Sequence, residues 1–267
     1  MQKQMIKDLF KKLKQQNPLI HHITNNVTIN DCANATLAIG GSPVMATSIE
    51  EVADMVNLAN ALVINFGTID DETYAAMVRA GQAANQKGIP VIFDPVGVGA
   101  TAFRTDRAKD FLEQVRVSIV RGNASEVFAL IGGEAMTRGV DSGDLIISAK
   151  ELAFNAASQL QAITVISGKL DTISNGKEMV QIDNGDIWLT RVTGTGCMTA
   201  SLIASFAGVT DDWFLAAVAG MSVMSLAGER AKKALQEREG IGTFRIKLMD
   251  EIFLMNEQIW AEEVRLS

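Results

Sequence analysis

Short apolar runs and longer stretches of helical spacing alternate along most of this chain. Leu62-Val63-Ile64, Val91-Ile92-Phe93, Val117-Ser118-Ile119-Val120 and Thr164-Val165-Ile166 are too short for helices. They also lack the in–out alternation of a half-buried strand. Between them lie helical patterns: Glu72 to Gln86, stopped by Lys87-Gly88, then roughly 106–114, a start near Ala124, and 142–159. Continuous apolar strands alternating with helices predict a parallel sheet covered on both faces.

Ahead of this region, apolar positions at Met5, Ile6, Leu9, Phe10 and Leu13 predict an amphipathic helix over 5–16, ended by Asn17-Pro18. An Ala-rich helix over Asn30 to Ile39 is broken by Gly40-Gly41-Ser42-Pro43. Ser48, with Glu51 three positions on, predicts a capping box for a helix over 49–59. After residue 170, Thr172-Ile173-Ser174, Asn175-Gly176 and Met179-Val180-Gln181-Ile182 predict a hairpin with a tight primed turn, giving the sheet an antiparallel edge. Ile187-Trp188-Leu189 has the look of a strand. Helices over 197–208, 211–237 and 243–264 finish the chain. The sequence holds no repeat, linker or low-complexity segment. The expectation is one domain over 1–267, a three-layer α/β sandwich on a mostly parallel central sheet.

Composition narrows the setting. Of the 267 residues, 48% are hydrophobic and 21% charged, enough for a sizeable core. A net charge of −7 argues against nucleic acid or an anionic membrane as the main partner. A polyanionic ligand would need local cations or a metal. Residues 1–8 contain no apolar signal core, no run is long enough to cross a bilayer, and Cys32 and Cys197 are far apart in sequence. The expectation is a cytoplasmic protein with free thiols.

Ligands of open α/β sheets bind beyond the carboxyl ends of the strands. Those ends carry Asn65, Asp94, Arg121, Asn123 and Ser167. The strongest local signal is Thr193-Gly194-Thr195-Gly196-Cys197, two glycines and a thiol at a helix mouth. Free N–H groups and the helix dipole suit an anion there, and the same field favours the Cys197 thiolate. The alternative reading of Cys197 is a small side chain allowing close packing, against which its place right after Gly194-Thr195-Gly196 counts. Asp94-Pro95-Val96-Gly97-Val98-Gly99 presents a carboxylate to a divalent cation, or is a tight strand-to-helix turn. Arg121 places a planar, always charged fork beside a helix start, which suits phosphate. Glu126 sits in the first helical turn, stabilised by the dipole, or helps Asp94 hold hydrated Mg²⁺. His21 and His22, adjacent on a strand, point to opposite faces and do not read as a metal pair. The Met-rich C-terminal helices read as packing.

Five motifs occur in order: Asn17-Pro18-Leu19-Ile20-His21-His22-Ile23-Thr24-Asn25, Gly41-Ser42-Pro43-Val44-Met45, Asp94-Pro95-Val96-Gly97, Arg121-Gly122-Asn123-Ala124-Ser125-Glu126 and Val192-Thr193-Gly194-Thr195-Gly196-Cys197. From about residue 18 to the C-terminal helices the chain resembles the hydroxyethylthiazole kinase family of the ribokinase-like superfamily. The resemblance implies ATP- and Mg²⁺-dependent phosphorylation of 4-methyl-5-(2-hydroxyethyl)thiazole, in the thiamine pathway. It implies Arg121, Ser167, Gly168, Thr195 and Gly196 around the ATP phosphates, and Asp94 and Glu126 organising Mg²⁺ through water. Met45 and Gly194 would contact the thiazole, with Asn25 nearby. Cys197 would be the catalytic residue, standing where related kinases carry Asp. A homotrimer with active sites between subunits is implied too. Small departures are Val98 for a smaller residue, His22 at a variable position, and Ser167 for Thr. The competing readings are another small-alcohol kinase of the superfamily, such as a hydroxymethylpyrimidine kinase, or a non-catalytic thiazole- or nucleotide-binding protein. A redox role for Cys197 lacks a resolving cysteine nearby in sequence.

Overall fold

The computed structural model describes residues 2–133 and 147–267. Eight strands form one sheet: β1 (Leu19–Ile23), β2 (Ser42–Val44), β3 (Ala61–Asn65), β4 (Val91–Asp94), β5 (Ile119–Asn123), β6 (Ile163–Ser167), β7 (Asp171–Ser174) and β8 (Met179–Ile182). Their order is β2-β1-β3-β4-β5-β6-β7-β8. The pairs from β2 to β6 are parallel, and β7 and β8 add the antiparallel edge.

The short apolar strands are continuous because both faces are buried, and successive residues serve opposite cores. Val63, Ile92 and Ile119 pack on one face, while Leu62, Ile64, Val91, Phe93 and Val120 pack on the other. The first face is covered by α1 (Gln2–Gln16), α2 (Ile29–Ile39), α8 (Thr195–Ala207), α9 (Trp213–Lys233), α10 (Ile241–Leu254) and α11 (Glu257–Glu263). The second is covered by α3 (Val52–Leu58), α4 (Asp71–Lys87), α5 (Ala102–Gln114), α6 (Ala124–Leu130) and α7 (Ala149–Leu160). This is the expected three-layer α/β arrangement. α8 is buried nearly all round, which accounts for its lack of a polar face.

Several local expectations are corrected. Gly41-Ser42-Pro43-Val44 is a break followed at once by the edge strand β2, which pairs Leu19 with Ser42 and His21 with Val44. The Ser48–Glu51 box does not form: Glu51 itself is the cap position of α3 without a side-chain bond, and the helix is shorter than 49–59. The α5 helix starts before 106, because Thr101 Oγ1 accepts the Arg104 N–H. The 142–159 expectation falls partly on 142–146, outside the described residues, and Ser148 with Glu151 forms a capping box that opens α7. The hairpin forms, but its loop spans Asn175–Glu178 and only Gly176 is left-handed; Asn175 Oδ1 accepts the N–H groups of Lys177 and Glu178. Ile187–Arg191 is a 3-10 turn capped by Asp186, not a strand. The free edge of β8 is instead met by the segment around Leu266. The 243–264 helix divides, since Met255 is extended and Asn256 caps α11 through the N–H groups of Gln258 and Ile259.

The topology fixes the crevice. From β1 the chain goes outward to β2, then returns across β1 to β3. The carboxyl ends of β1 and β3 therefore flank the switch point, where α/β sheets hold ligands.

Candidate active site

Asn65 and Asp94 are register partners at the ends of β3 and β4. Asn65 Nδ2 donates to Asp94 Oδ2 at 2.9 Å, and its Oδ1 accepts from Asn25 Nδ2 at 2.9 Å. The two amides also approach the Cys197 sulfur, Asn25 Nδ2 at 3.2 Å and Asn65 Nδ2 at 3.4 Å. Arg121, on β5, places Nη1 3.9 Å from Asp94 Oδ2 and donates from Nη2 to Ser167 Oγ at 3.0 Å. The structure thus joins Asn25, Asn65, Asp94, Cys197, Arg121 and Ser167 in one continuous polar chain across five elements.

The helix mouth is built around two glycines. Gly194 caps α8 with φ +87°, a conformation that resists other residues, and a Cβ there would lie 2.6 Å from Thr28 Cγ2. A Cβ on Gly196 would press into the Arg121 guanidinium, 3.0 Å from Cζ. The first intrahelical bond runs from Met198 N to Gly194 O at 2.8 Å, so the N–H groups of Thr195, Gly196 and Cys197 precede it. The Arg121 fork therefore lies directly against a helix N-terminus. Two like fields side by side suit an anion bound between them. The Thr195 hydroxyl is not part of that cradle: it donates to Leu189 O at 3.1 Å and ties the 3-10 turn to the helix.

Asp94 is fully buried, and its Oδ1 has no hydrogen-bond partner among the described residues. Burial raises its pKa well above the carboxylate range; the Arg121 charge opposes this, Glu126 adds to it, and the Asn65 bond lowers it. Glu126 is committed at both oxygens. Oε2 accepts the Asn123 N–H at 2.9 Å in a capping box that opens α6, and Oε1 accepts the Gly97 N–H at 3.0 Å. The Gly97 N–H in the glycine-rich loop after β4 is thus already taken by Glu126.

The thiolate expectation for Cys197 is overturned. Burial raises its pKa, the Asp94 charge raises it further, and contacts with Thr28 and Asn25 and the Arg121 charge only partly offset this. Desolvation is the largest cause and places the Cys197 pKa above the ordinary thiol value, so the neutral thiol is the resting form. Cys32 is also nearer than its sequence position suggested: its sulfur lies 3.9 Å from Thr28 Oγ1, and Thr28 also faces Cys197. Buried at 1% exposure, with its pKa pushed up to about 12, Cys32 is an inert thiol rather than a resolving one.

Met45 follows the edge strand β2 and is half-buried; its neighbour Ala46 accepts at the carbonyl from His21 Nε2 at 2.8 Å. His22 bridges the Ile20 carbonyl (3.0 Å) and Ser201 Oγ (3.1 Å) inside the core, while His21 Nδ1 has no hydrogen-bond partner among the described residues. Thr28 is a site residue that the sequence did not single out. It packs on Gly194 and donates from Oγ1 to Asn25 Oδ1 at 3.0 Å. A lone Thr at a helix start carries no signal of that contact.

The sequence signature of the hydroxyethylthiazole kinase family matches residues 10–258. The chain belongs to that family. It is 45% identical over 262 residues to the hydroxyethylthiazole kinase of Ruminiclostridium cellulolyticum, covering 97% of this chain and 96% of the relative. Among solved structures, hydroxyethylthiazole kinase from Pyrococcus horikoshii OT3 superposes with a TM-score of 0.87 at 37% identity, covering 99% of this chain and 98% of that one. A ribokinase-like superfamily protein from Enterococcus faecalis V583 shares the fold alone, with a TM-score of 0.64 at 14% identity, covering 92% of this chain and 93% of that one. Family membership makes the chain an enzyme, a kinase with a ribokinase-like fold. No helix among the described residues is long and apolar enough to cross a membrane.

Proposed function

We propose that the chain transfers the γ-phosphoryl group of ATP to the hydroxyl of 4-methyl-5-(2-hydroxyethyl)thiazole, in thiamine biosynthesis or salvage. The observation that carries this reading is the mouth of α8, where Gly196 lies against the Arg121 guanidinium and Cys197 lies against Asn25 and Asn65. Anion cradle and acceptor pocket share one helical turn. The ATP phosphates would lie against Arg121, Ser167, Gly168 and the Thr195 and Gly196 amides. The thiazole would lie against Asn25, Gly194 and Met45. The same reading takes residues 1–267 as one kinase domain, consistent with all eight strands joining one sheet, and places it in the cytoplasm.

Phosphoryl transfer passes through a loose transition state in which the acceptor proton leaves late, so orientation and charge carry most of the barrier reduction. A neutral Cys197 thiol fits this demand. Its sulfur, fixed by two amide N–H groups, aligns the acceptor hydroxyl rather than abstracting its proton at rest. Arg121, anchored at Ser167, holds the phosphate charge at the helix mouth on a protein that is itself acidic.

Asp94 Oδ1 fits a role toward Mg²⁺, being a buried carboxylate oxygen with an unused lone pair and raised basicity. Glu126, with both oxygens already accepting N–H groups, would reach the ion through water. Mg²⁺ takes one or two carboxylates plus waters and substrate phosphates, so it needs no three-residue cage, and none occurs among the described residues. When bound, Mg²⁺ supplies positive charge to the transferring phosphoryl group.

A homotrimer belongs to the same proposal. Val27 and Leu37 on the α2 side, and Ile246, Phe253 and Leu254 at α10, are more than half exposed, and α2 packs on α10. A second copy of the chain on this face would cover them and close the thiazole side near Asn25. Sedimentation should give three times the chain mass; a monomer would remove this part.

The function is tested by coupled ADP release with hydroxyethylthiazole against hydroxymethylpyrimidine as acceptor. Turnover of the thiazole alcohol alone is expected. Turnover of the pyrimidine alone assigns a different acceptor, and turnover of neither removes the kinase proposal for both.

A further inference from the structure

Beyond Ser167 the chain must reverse from parallel β6 into antiparallel β7 within Gly168-Lys169-Leu170. The residue that holds this reversal is Asp171, 4% exposed. Its Oδ1 accepts the Gly168 N–H at 3.0 Å, and its Oδ2 accepts the Ser225 hydroxyl of α9 at 2.6 Å. No cation is in direct contact among the described residues. Burial raises its pKa to about 6, countered by Ser225, Gly168 and the charge of Arg121. A buried carboxylate without an ion pair costs stability, and a turn alone does not require one.

Gly168 supplies the second observation. It is not left-handed, and a Cβ there would meet nothing nearer than Leu170 O at 3.5 Å. Neither backbone conformation nor packing within the chain demands glycine at this position. A bare backbone facing open space beside Arg121 and Ser167 suits close approach of a ligand from outside the chain.

We propose that Asp171 is a positioning residue for the nucleotide. It anchors Gly168 to α9 through Ser225, and so fixes Ser167 Oγ, the acceptor that holds Arg121 Nη2. Asp171 touches no substrate in this role. It holds the wall against which the phosphates lie, and its charge lies within the field of Arg121. The inference rests on the nucleotide half of the proposed function and is independent of the acceptor's identity.

The test is ADP binding by titration calorimetry, with KM for ATP and for the acceptor measured alongside, in Asp171→Ala and Asp171→Asn. Asp171→Ala, which removes both hydrogen bonds to the carboxylate and frees Gly168 from α9, should weaken ADP on the order of tenfold and raise KM for ATP in parallel. KM for the acceptor should stay within about twofold, since nothing on the Cys197 side is touched. Asp171→Asn should recover most of the ADP affinity, because its amide oxygen still accepts the Gly168 N–H. ADP affinity unchanged in folded Asp171→Ala, or an equal loss for nucleotide and acceptor, would overturn the role. If Asp171→Ala does not fold, Ser225→Ala takes its place; it should weaken ADP measurably, and unchanged affinity would overturn the tie through α9. Wild-type protein that fails to bind ADP would instead refute the nucleotide reading itself. ADP binding without thiazole turnover would leave the inference standing and remove only the acceptor.

Discussion

Replacing Gly196 by Ala separates stability from function at the helix mouth. The added Cβ would overlap Arg121 Nη1 and stand 3.0 Å from Cζ and 3.2 Å from Nη2, so the guanidinium has to move. Gly196 is not left-handed, so the backbone tolerates alanine without strain, and alanine favours the helix by up to about 1 kcal/mol. What must give is the guanidinium, the far end of a flexible side chain. It would lose its 3.0 Å bond to Ser167 and its place near Asp94. The helix gain and the loss of the Arg121 charge beside buried Asp94 act in opposite directions, so Tm should shift by no more than a few degrees. The loss of one charge-assisted bond to phosphate, about 1.5–3 kcal/mol, should lower kcat/KM for ATP on the order of 10- to 100-fold. Steady-state kinetics with ATP varied at saturating thiazole alcohol, beside a thermal melt, reads both quantities. Wild-type ATP kinetics in Gly196→Ala would show that Arg121 does not bind nucleotide from this position. Gly194→Ala makes the contrast: a left-handed φ and a 2.6 Å approach to Thr28 should cost stability as well as activity.

Three further outcomes follow from named contacts. Cys197→Ala should lower kcat on the order of 10²-fold, the cost of losing the group that aligns the acceptor hydroxyl, with KM for ATP little changed, while Cys197→Asp, whose carboxylate can still accept the Asn25 and Asn65 amide N–H groups, should keep activity; full kcat in Cys197→Ala would remove the sulfur from the reaction. Asn65→Leu, which frees Asp94 Oδ2 and one contact to Cys197, should lower kcat more than it raises either KM; a change confined to KM for ATP would place Asn65 outside the acceptor pocket. His22 is fully buried and titrates near 4 in the fold, against 6.5 unfolded, so the unfolded chain binds the proton first as pH falls. Stability from this residue is present above pH 6.5 and is lost between 6.5 and about 4, on the order of 3 kcal/mol in all, as urea melts across that window should show; His22→Gln with an undiminished slope would contradict it.

Much of this was readable from residue order because the sheet is buried on both sides. Runs such as Val91-Ile92-Phe93 announce their strands, and their carboxyl ends gather Asn65, Asp94, Arg121 and Ser167 at one edge. What stayed hidden depends on partners distant in sequence. Nothing near Ser42 says that Pro43 lies on an edge strand beside Ile20. Nothing near Asn256 outweighs the apolar periodicity that runs through it, although its side chain divides the last helix. The Cys197 thiolate was misjudged because a helix mouth is visible in sequence, while the burial and the Asp94 charge that oppose it are not. Asp171, just ahead of the predicted Thr172-Ile173-Ser174 strand, carries no sequence signal of its partners Gly168 and Ser225.

The central claim is direct transfer of the γ-phosphoryl group to the thiazole hydroxyl at the mouth of α8. Mass spectrometry of quenched reactions containing enzyme, Mg²⁺, ATP and hydroxyethylthiazole tests it. The account predicts a thiazole product heavier by one phosphoryl group, formed in step with ADP and sharply reduced in Gly196→Ala. ADP formed without any phosphorylated thiazole would contradict it.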